Sequence, residues 1–354
     1  MIRAKAVSGL GGKAPACFLI ETGQARFLLD LGEGAPGQFP DLSGIGTVDA
    51  ILISHGHADH IGGLHLADQV GNPPIYATAM TKAFAGHPKL AEALILPLQG
   101  QVEIAGVIVE TGRAGHAAGG IWMRISGEEG VLYSGDFCRE SLLYPVDTPL
   151  AAKTLIVDAS YGAYDTDITD AISTLIDAAR KGPLLLPLPP TGRGVEIAVL
   201  LHEAGCPVFI CDQHHRSAEL MLAGDAATLV EGGRDRLGHM LSHAGRLDAK
   251  SDAQGAMIAA NGATTAGLSK TLMARFANKN NVQILITGHV EAGSPAKAAI
   301  EKGRAGFLRW NVHPHLHDLV WLHKLVRPQT TLYAFCDDDT ADAVRAFLVF
   351  TKNG

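Results

Sequence analysis

Short apolar runs separated by glycine-containing turns dominate the first third of the chain. The segment ACFLIETGQARFLLDLG holds two such runs joined by a Thr-Gly-Gln turn, which predicts a β-hairpin. The segment VDAILISH is a continuous apolar run and predicts a buried strand. The stretches QVEIAGVIVETGRAGH and GIWMRISGEEGVLYSGD each repeat a strand, a turn and a second strand. We therefore expect a sheet-rich region here.

The middle of the chain changes to a helical period. TDITDAISTLIDAARKG carries acidic residues early and basic residues late, as the helix dipole favours. PLLLPLP predicts a strand, GRGVEIAVLLHEAG a helix that stops at Gly205, and PVFIC another strand, so this part predicts a parallel sheet covered by helices. We expect helices and loops from about Asp212 to Gln283, then a strand in NVQILITGH, a helix ended by Pro328 and a last strand in TTLYAF.

Three of the predicted strands run into a residue that can ligate a metal, namely His55, His116 and Asp136. Rigid strands that present reactive groups on the following loops are a common way of building a site at one rim of a sheet. The sequence therefore predicts that these three side chains lie close together.

The segment SHGHADHIGG crowds three imidazoles and a carboxylate into six positions. Burying such groups together is costly unless they share a partner, and a metal ion is that partner. Alternate residues of a strand face the same side, so His55 and His57 can address one ion. The turn that follows can direct Asp59 and His60 at a second ion. Imidazole and carboxylate ligands suit Zn²⁺, with Mn²⁺ or iron as alternatives.

Composition and charge narrow the class of protein. The chain has 354 residues, 47% hydrophobic and 18% charged, which is enough apolar mass for one large domain with an insertion or for two domains. A net charge of −7 argues against a broad basic surface but not against a local basic groove. No apolar stretch approaches ~18 residues, so no membrane span is expected. The five cysteines form no C-x-x-C pair, and the N-terminal region has no signal-peptide pattern, so a cytoplasmic protein with free thiols is predicted.

Eight segments, in order and spacing, resemble the metallo-β-lactamase fold and specifically its β-CASP nuclease branch, the type of ribonuclease J and the mRNA 3′-end cleavage subunit. The segments are FLLDLG, SHGHADHIGGL, AGHAAGGIWMRI, YSGDFCRE, IVDASYG, LPPTGRGVEIAVLL, ITGHVEAGSPAK and NVHPH. The resemblance implies an α/β protein, an αββα metallo-β-lactamase sandwich with an inserted α/β, β-CASP-like cap. The core would comprise residues 1–160 and 306–354, and the cap residues 161–305.

The resemblance also implies which residues hold metal. His55, His57 and His116 would bind a first ion, Asp59 and His60 a second, and Asp136 would bridge the two. A hydroxide between the ions would be the nucleophile. Asp30 would support the ligands from behind by orienting their turn. One or two Zn²⁺ ions are therefore expected, with Asp59 counted among the catalytic residues.

The departing oxygen of a phosphodiester needs a proton, and in the family an acidic residue and a histidine supply it. The resemblance assigns these roles to Asp158 and His313, with the carboxylate holding the imidazole protonated as a general acid. His315 and His317 alternate with His313 and could share one face of a strand with it. Arg193 and Lys297 are candidates for contacts with phosphate groups.

The chain departs from the family near its end, where a histidine that completes the second metal site is replaced by Phe335. Three interpretations remain open. Cys336 or Asp337 substitutes as a ligand; one of the histidines of HPHLH, such as His315, is recruited; or the protein works with one metal.

Three functions are compatible with these residues. The first is a metal-dependent phosphodiesterase that cleaves RNA or single-stranded DNA. The second is a hydrolase of the same fold acting on a lactam, lactone, thioester or small phosphodiester, which the acidic net charge favours. The third is a non-catalytic scaffold. A homo-oligomer is compatible with the sequence. His239 and His243 lie four residues apart in the weakly matched region; this spacing is compatible with a metal ligand pair, but we interpret them as surface residues.

Overall fold

A computed structural model describes residues 2–290 and 293–352, and the chain divides into two compact units. The sandwich unit comprises Met1–Arg139, Pro145–Thr166 and Val312–Gly354. The parallel-sheet unit comprises Glu140–Tyr144 and Asp167–Asn311. Within the described residues, every helix is too short or too polar to cross a membrane.

Two six-stranded sheets form the sandwich unit, in the orders β1-β2-β3-β4-β5-β6 and β18-β11-β10-β9-β8-β7. The strands of the first sheet are β1 (Arg3–Ser8), β2 (Cys17–Glu21), β3 (Arg26–Leu29), β4 (Ala50–Leu52), β5 (Ile75–Ala77) and β6 (Leu94–Ile95). Those of the second are β7 (Gly100–Ile104), β8 (Val107–Arg113), β9 (Ile121–Ile125), β10 (Val131–Tyr133), β11 (Thr154–Asp158) and β18 (Thr330–Ala334). Each sheet is antiparallel at one end and parallel at the other.

The sandwich unit has four layers. Between the sheets, alternate apolar residues of both interlock, among them Phe18, Phe27 and Met123. Helices cover the outer faces because the remaining alternate positions are apolar as well. The helices of the unit are α1 (Ala58–Ile61), α2 (Ala79–Ala85), α9 (Leu316–Val326) and α10 (Asp338–Lys352), with 3-10 turns Leu64–Val70 and Pro88–Leu90. Leu319 and Val344 of α9 and α10 pack against the second sheet, which completes an αββα arrangement.

The parallel-sheet unit is built around one six-stranded sheet in the order β14-β13-β15-β12-β16-β17, with all neighbours parallel. Its strands are β12 (Leu184–Pro187), β13 (Val208–Ile210), β14 (Gly245–Arg246), β15 (Ala256–Ala259), β16 (Gln283–Ile286) and β17 (Gly306–Phe307). Its helices are α3 (Thr169–Lys181), α4 (Arg193–Glu203), α5 (Asp212–Ala223), α6 (Gly233–His243), α7 (Gly267–Phe276) and α8 (Pro295–Glu301), with a 3-10 turn at Ala226–Thr228. Because helices connect parallel strands, both faces of the sheet are buried.

The α/β fold class predicted from the sequence is confirmed, and so is the hairpin, which pairs Phe18 with Leu29. The prediction of helices and loops alone between Asp212 and Gln283 was wrong. Strand β15 lies there, fully buried and paired on both sides. Its four residues Ala-Met-Ile-Ala show no alternation, so only the flanking strands β12 and β13 reveal it. The sequence-based division, with a cap of residues 161–305, stays a prediction. The long segment of the parallel-sheet unit instead begins at Asp167 and ends at Asn311.

Candidate metal centre

The predicted ligands of the sandwich unit come together at loops that follow its strands. His55 and His57 follow β4, and His57 occupies the N-cap position of α1. His116 follows β8, and Asp136 follows β10. These side chains therefore approach one another through sheet topology, although they are far apart in sequence.

One nitrogen of each of three imidazoles and one oxygen of Asp136 lie within 4.8 Å of one another. Nδ1 of His57 lies 3.0 Å from Nε2 of His55 and 3.0 Å from Nε2 of His116. Oδ2 of Asp136 lies 3.4 Å from Nε2 of His116 and 3.7 Å from Nε2 of His55. Three nitrogens and a carboxylate oxygen that converge in this way are a donor set suited to Zn²⁺.

Partners behind the ligands orient their rings. Nδ1 of His116 donates to the carbonyl oxygen of Val312 at 2.7 Å, which leaves the Nε2 lone pair facing the cluster. Asp30, which is fully buried, accepts from the hydroxyl of Tyr133 at 2.7 Å and from the backbone N–H and hydroxyl of Ser54 at 2.7 and 2.6 Å. Asp30 also accepts from Nδ1 of His60 at 2.7 Å. Tyr133 and Ser54 were not singled out from the sequence, although both lie at strand ends beside predicted ligands.

Burial and neighbouring charge put these groups in the protonation states that metal ligands need. Burial, followed by the charge of His116, lowers the pKa of His57 to about 3. Burial also lowers the pKa of His116, and it holds that of His55 well below its usual range. Burial alone would raise the pKa of Asp136. The charges of His60 and His313 outweigh this effect and hold the pKa well below its ordinary value. Neutral imidazoles and an ionised carboxylate therefore coexist near neutral pH.

The other oxygen of Asp136 faces a second group. Oδ1 lies 3.1 Å from Nε2 of His60, so the two carboxylate oxygens address different imidazoles. Burial lowers the pKa of His60, but Asp136 and Asp30 more than compensate and hold it well above its usual value. The ring of Phe335 lies edge-on to His60, with centroids 5.4 Å apart. An aromatic ring that cannot bind metal therefore lies beside His60, at the position where the family resemblance leads us to expect a histidine ligand.

The suggested substitute ligands have other partners. The Cys336 thiol lies 3.7 Å from the carbonyl oxygen of Tyr333, among the apolar residues under α9 and α10. Burial raises the pKa of this thiol to about 11, so it stays protonated. Oδ1 of Asp337 accepts from the backbone N–H of Thr340 at 2.8 Å, at the start of α10. Among the described residues, Asp59 and His60 belong to no group of three or more convergent metal-ligating atoms.

Asp158 and His313 form a pair beside the metal cluster. Nδ1 of His313 lies 2.7 Å from Oδ2 of Asp158 and 3.8 Å from Oδ2 of Asp136. The other oxygen of Asp158 accepts from the N–H and hydroxyl of Ser160 at 3.0 and 2.6 Å, which fixes the carboxylate. Burial alone would lower the pKa of His313, but Asp158 and Asp136 raise it above its usual value.

The expectation that His313, His315 and His317 share a strand was wrong. The segment is irregular, His315 is the N-cap residue of α9, and His317 lies inside that helix. Nδ1 of His315 lies 3.2 Å from Oδ1 of Asp165, and His317 pairs with the same carboxylate. A helix begins here because the apolar residues that follow the segment have a helical period and bury against the second sheet.

The two candidate phosphate contacts lie in the parallel-sheet unit. Arg193 is the first residue of α4, and its guanidinium passes so close to Gly288 that a β-carbon there would lie 2.0 Å from Nη2. Lys297 is exposed on α8, where its Nζ lies 3.6 Å from a carboxylate oxygen of Glu301. Of the two, Arg193 has the more constrained position.

Comparison with known proteins identifies the class to which this sandwich and its histidine cluster belong. A family model described as the metallo-beta-lactamase superfamily matches residues 10–188. This match covers half of the chain, and it includes every residue of the convergent cluster. The chain belongs to the metallo-β-lactamase superfamily, within its β-CASP branch.

Several curated relatives align with the chain. The transcription termination factor FttA of Cenarchaeum symbiosum (strain A) is 25% identical over 58% of this chain and 40% of its own length. RNase aCSPSF2 of Saccharolobus solfataricus is 22% identical over 83% of this chain and 69% of its own length. Ribonuclease TTHA0252 of Thermus thermophilus is 28% identical over 53% of this chain and 52% of its own length. The chain thus spans less than two thirds of the length of FttA and of ribonuclease TTHA0252.

Proposed function

We propose that this protein is a metal-dependent phosphodiesterase that cleaves RNA or single-stranded DNA. The carrying observation is that the metal cluster and the Asp158–His313 pair meet at one carboxylate, because Asp136 lies within reach of both. A nucleophile-activating centre and a proton donor are the two groups that phosphodiester hydrolysis requires. Relatives named as ribonucleases support the choice of nucleic acid as the substrate.

We assign His55, His57, His116 and Asp136 as the ligands of one tightly held divalent ion. Three neutral imidazoles and an ionised carboxylate that converge in this way fit Zn²⁺, and this donor set would also accept Mn²⁺ or iron. When bound, such an ion supplies Lewis acidity, which polarises a phosphoryl oxygen and activates water near neutral pH. Asp59 and His60 keep their proposed role as weaker ligands of a second ion, which Phe335 leaves incomplete.

The chain's own residues position the ligands and move a proton. Asp30 holds His60 through Nδ1, and His60 in turn holds Oδ1 of Asp136, so the carboxylate keeps a fixed orientation. The Asp158 carboxylate accepts a hydrogen bond from Nδ1–H of His313 and so stabilises the imidazolium form of that ring. The imidazolium then holds a second proton at Nε2, which it donates to the departing sugar oxygen. Arg193 and Lys297 are proposed to bind phosphate groups of the strand.

Cleavage of labelled oligoribonucleotides and single-stranded oligodeoxynucleotides, with Zn²⁺ or Mn²⁺ supplied, tests the proposal. We expect turnover by the wild type and a loss of about 10²–10⁴-fold in kcat for His313→Ala and Asp158→Asn, the usual contribution of a general acid. The matched control is His65→Gln, an exposed histidine of the same unit, which should keep full activity. Bound metal should be equal in all four proteins.

A bis-aryl phosphodiester, whose leaving group needs no proton, separates the roles. His313→Ala should cleave this ester at nearly the wild-type rate, since only the proton donor is lost. If the metal-loaded wild type cleaves small esters or lactams but no oligonucleotide, the second candidate, a small-molecule hydrolase, replaces the first. The net charge of −7 is the observation that favours this second candidate. The predicted cytoplasmic location and homo-oligomer stay predictions.

A further inference from the structure

Three histidines lie together on the surface of the parallel-sheet unit, and none of them takes part in the proposed reaction. His202 lies in the last turn of α4, while His239 and His243 lie one turn apart in α6. Their ring centroids are 4.9, 5.4 and 4.4 Å apart, and one nitrogen of each ring lies within 4.8 Å of the other two. We call these residues the three-histidine cluster.

The nitrogens of the cluster have lone pairs available for an ion. Nδ1 of His243 donates to the carbonyl oxygen of His239 at 2.8 Å, so its Nε2 carries the lone pair. Nε2 of His202 and Nδ1 of His239 are 2.8 Å apart. This contact is a hydrogen bond that an ion would replace, because two nitrogens bound to one tetrahedral ion at about 2.0–2.1 Å lie about 3.3 Å apart. His239 and His243 are exposed, so small ring rotations suffice to complete the coordination.

The electrostatic surroundings favour a cation over protonated imidazoles. Three imidazoles whose ring centroids lie this close repel one another when protonated, so their proximity favours the neutral forms. Helices α4 and α6 both end at the cluster, and the partial negative charge of helix C-termini stabilises a nearby positive charge. Neutral imidazole is also the form that binds metal.

The two helices are held in register by other residues. The guanidinium of Arg236 in α6 binds both carboxylate oxygens of Glu203 in α4, at 2.6 and 2.9 Å. The same guanidinium donates to the carbonyl oxygen of Leu142 at 2.8 Å. The cluster is therefore largely organised before any ion binds, which lowers the entropic cost of binding.

We propose that His202, His239 and His243 bind a divalent transition metal of the Zn²⁺, Ni²⁺ or Cu²⁺ class and link α4 to α6. All-imidazole ligation suits these ions and disfavours Mg²⁺ and Ca²⁺, which prefer oxygen. Three protein ligands leave a coordination position for water or an external ligand. A metal-free, hydrogen-bonded histidine cluster is the competing explanation, and a metal count distinguishes the two.

The test uses the full chain, stripped with a chelator, reloaded with Zn²⁺ and desalted before its zinc is counted. We expect His239→Gln/His243→Gln to bind one equivalent fewer than the wild type. The control His215→Gln removes a histidine of α5 in the same unit, one that pairs with Glu219, and should bind the wild-type amount. Zn²⁺ should also raise the thermal midpoint of the parallel-sheet unit in the wild type and not in the double variant.

Equal zinc content in the wild type and the double variant would overturn the proposal, as would an equal loss in His215→Gln. Far-UV circular dichroism in the presence of chelator shows whether the double variant is folded. If it is not, the single variant His239→Gln carries the same expectation, because that side chain is exposed. This result does not depend on nuclease activity, since the double variant should keep its metal at His55, His57 and His116.

Discussion

Phe335 stands beside His60 in a left-handed backbone conformation, with φ of 64°. Histidine adopts this conformation more readily than most residues, so a histidine there would need no backbone change. It would add a further donor to the proposed set of Asp59, His60 and Asp136, in which Nε2 of His60 and Oδ1 of Asp136 lie 3.1 Å apart. We therefore attribute the proposed weakness of the second metal position to one side chain.

We predict that Phe335→His raises the zinc content retained after desalting from about one to about two equivalents at the active site, because an added imidazole completes that position. The measurement is elemental analysis, supported by calorimetric titration, on a background of His239→Gln/His243→Gln. Phe335→Leu is the control and should gain nothing. An unchanged count in Phe335→His would show that the second position lacks more than this ligand.

Gly115 precedes the proposed ligand His116 and has both a positive φ of 73° and a close neighbour. A β-carbon there would lie 1.9 Å from the carbonyl oxygen of Cys138. We predict that Gly115→Ala displaces His116 and weakens zinc binding about 10–100-fold, as other losses of ligand orientation do. Competition with a chromogenic chelator measures this change.

Gly127→Ala is the matched control for Gly115→Ala. Gly127 also has a positive φ, of 64°, but its β-carbon would meet nothing within 4 Å. The Gly127→Ala substitution should lower the unfolding free energy by about 1–2 kcal/mol through backbone strain and leave zinc affinity unchanged. Equal effects of the two variants on zinc affinity would contradict the steric argument.

Helix α4 carries a buried acid, Glu196, on the face that packs into the parallel-sheet unit. Burial raises the pKa of Glu196, and its bonds from the N–H of Leu142 and the hydroxyl of Ser141 offset this only in part. A carboxyl whose folded pKa is raised stabilises the fold below its unfolded pKa and loses that contribution as pH rises. Glu196 therefore makes this unit less stable as the pH rises above about 4.5.

We predict that Glu196→Gln flattens this dependence, because the amide does not ionise. The unfolding free energy of the variant relative to the wild type should grow by up to about 1.4 kcal/mol per pH unit between the unfolded and the folded pKa, then stay constant. Urea unfolding of both proteins between pH 4.5 and 8 measures it. Glu203→Gln is the control: Arg236 lowers the pKa of Glu203, so its difference from the wild type should change only below about pH 4.5 and show no growth across this range. A constant difference for Glu196→Gln would refute the prediction.

Taken as a whole, the chain contains two compact units, and each has its own apolar core. We predict that calorimetry of the metal-free protein resolves two unfolding transitions. Zinc at about 100 times its dissociation constant should stabilise the sandwich unit by about 2.7 kcal/mol, because it binds the folded state only. Gly115→Ala should identify the transition of the sandwich unit, and Leu272→Ala, in the other core, that of the parallel-sheet unit. A single transition that both variants shift equally would contradict independent units.

Much of the fold and of the candidate site could be predicted from local patterns. The hairpin of β2 and β3, the amphipathic helix α3 and the apolar strand β12 were predictable because each carries its period or turn chemistry within a few residues. Strand β15 could not be predicted, because its four apolar residues show no alternation and its burial comes from the strands and helices packed around it. His202 could not be linked to His239 and His243 either, since only the packing of α4 on α6 brings them together.

The amino-acid sequence by itself determined the fold class, the superfamily and the residues that converge in the proposed metal centre, because strand ends and a dense histidine motif are local signals. Only the tertiary structure decided how the two oxygens of Asp136 divide between His116 and His60, that Phe335 lies edge-on to His60, and that three surface histidines meet across two helices. These facts depend on distances between residues that are remote in the chain. Chain folding sets such distances, and no local pattern encodes them.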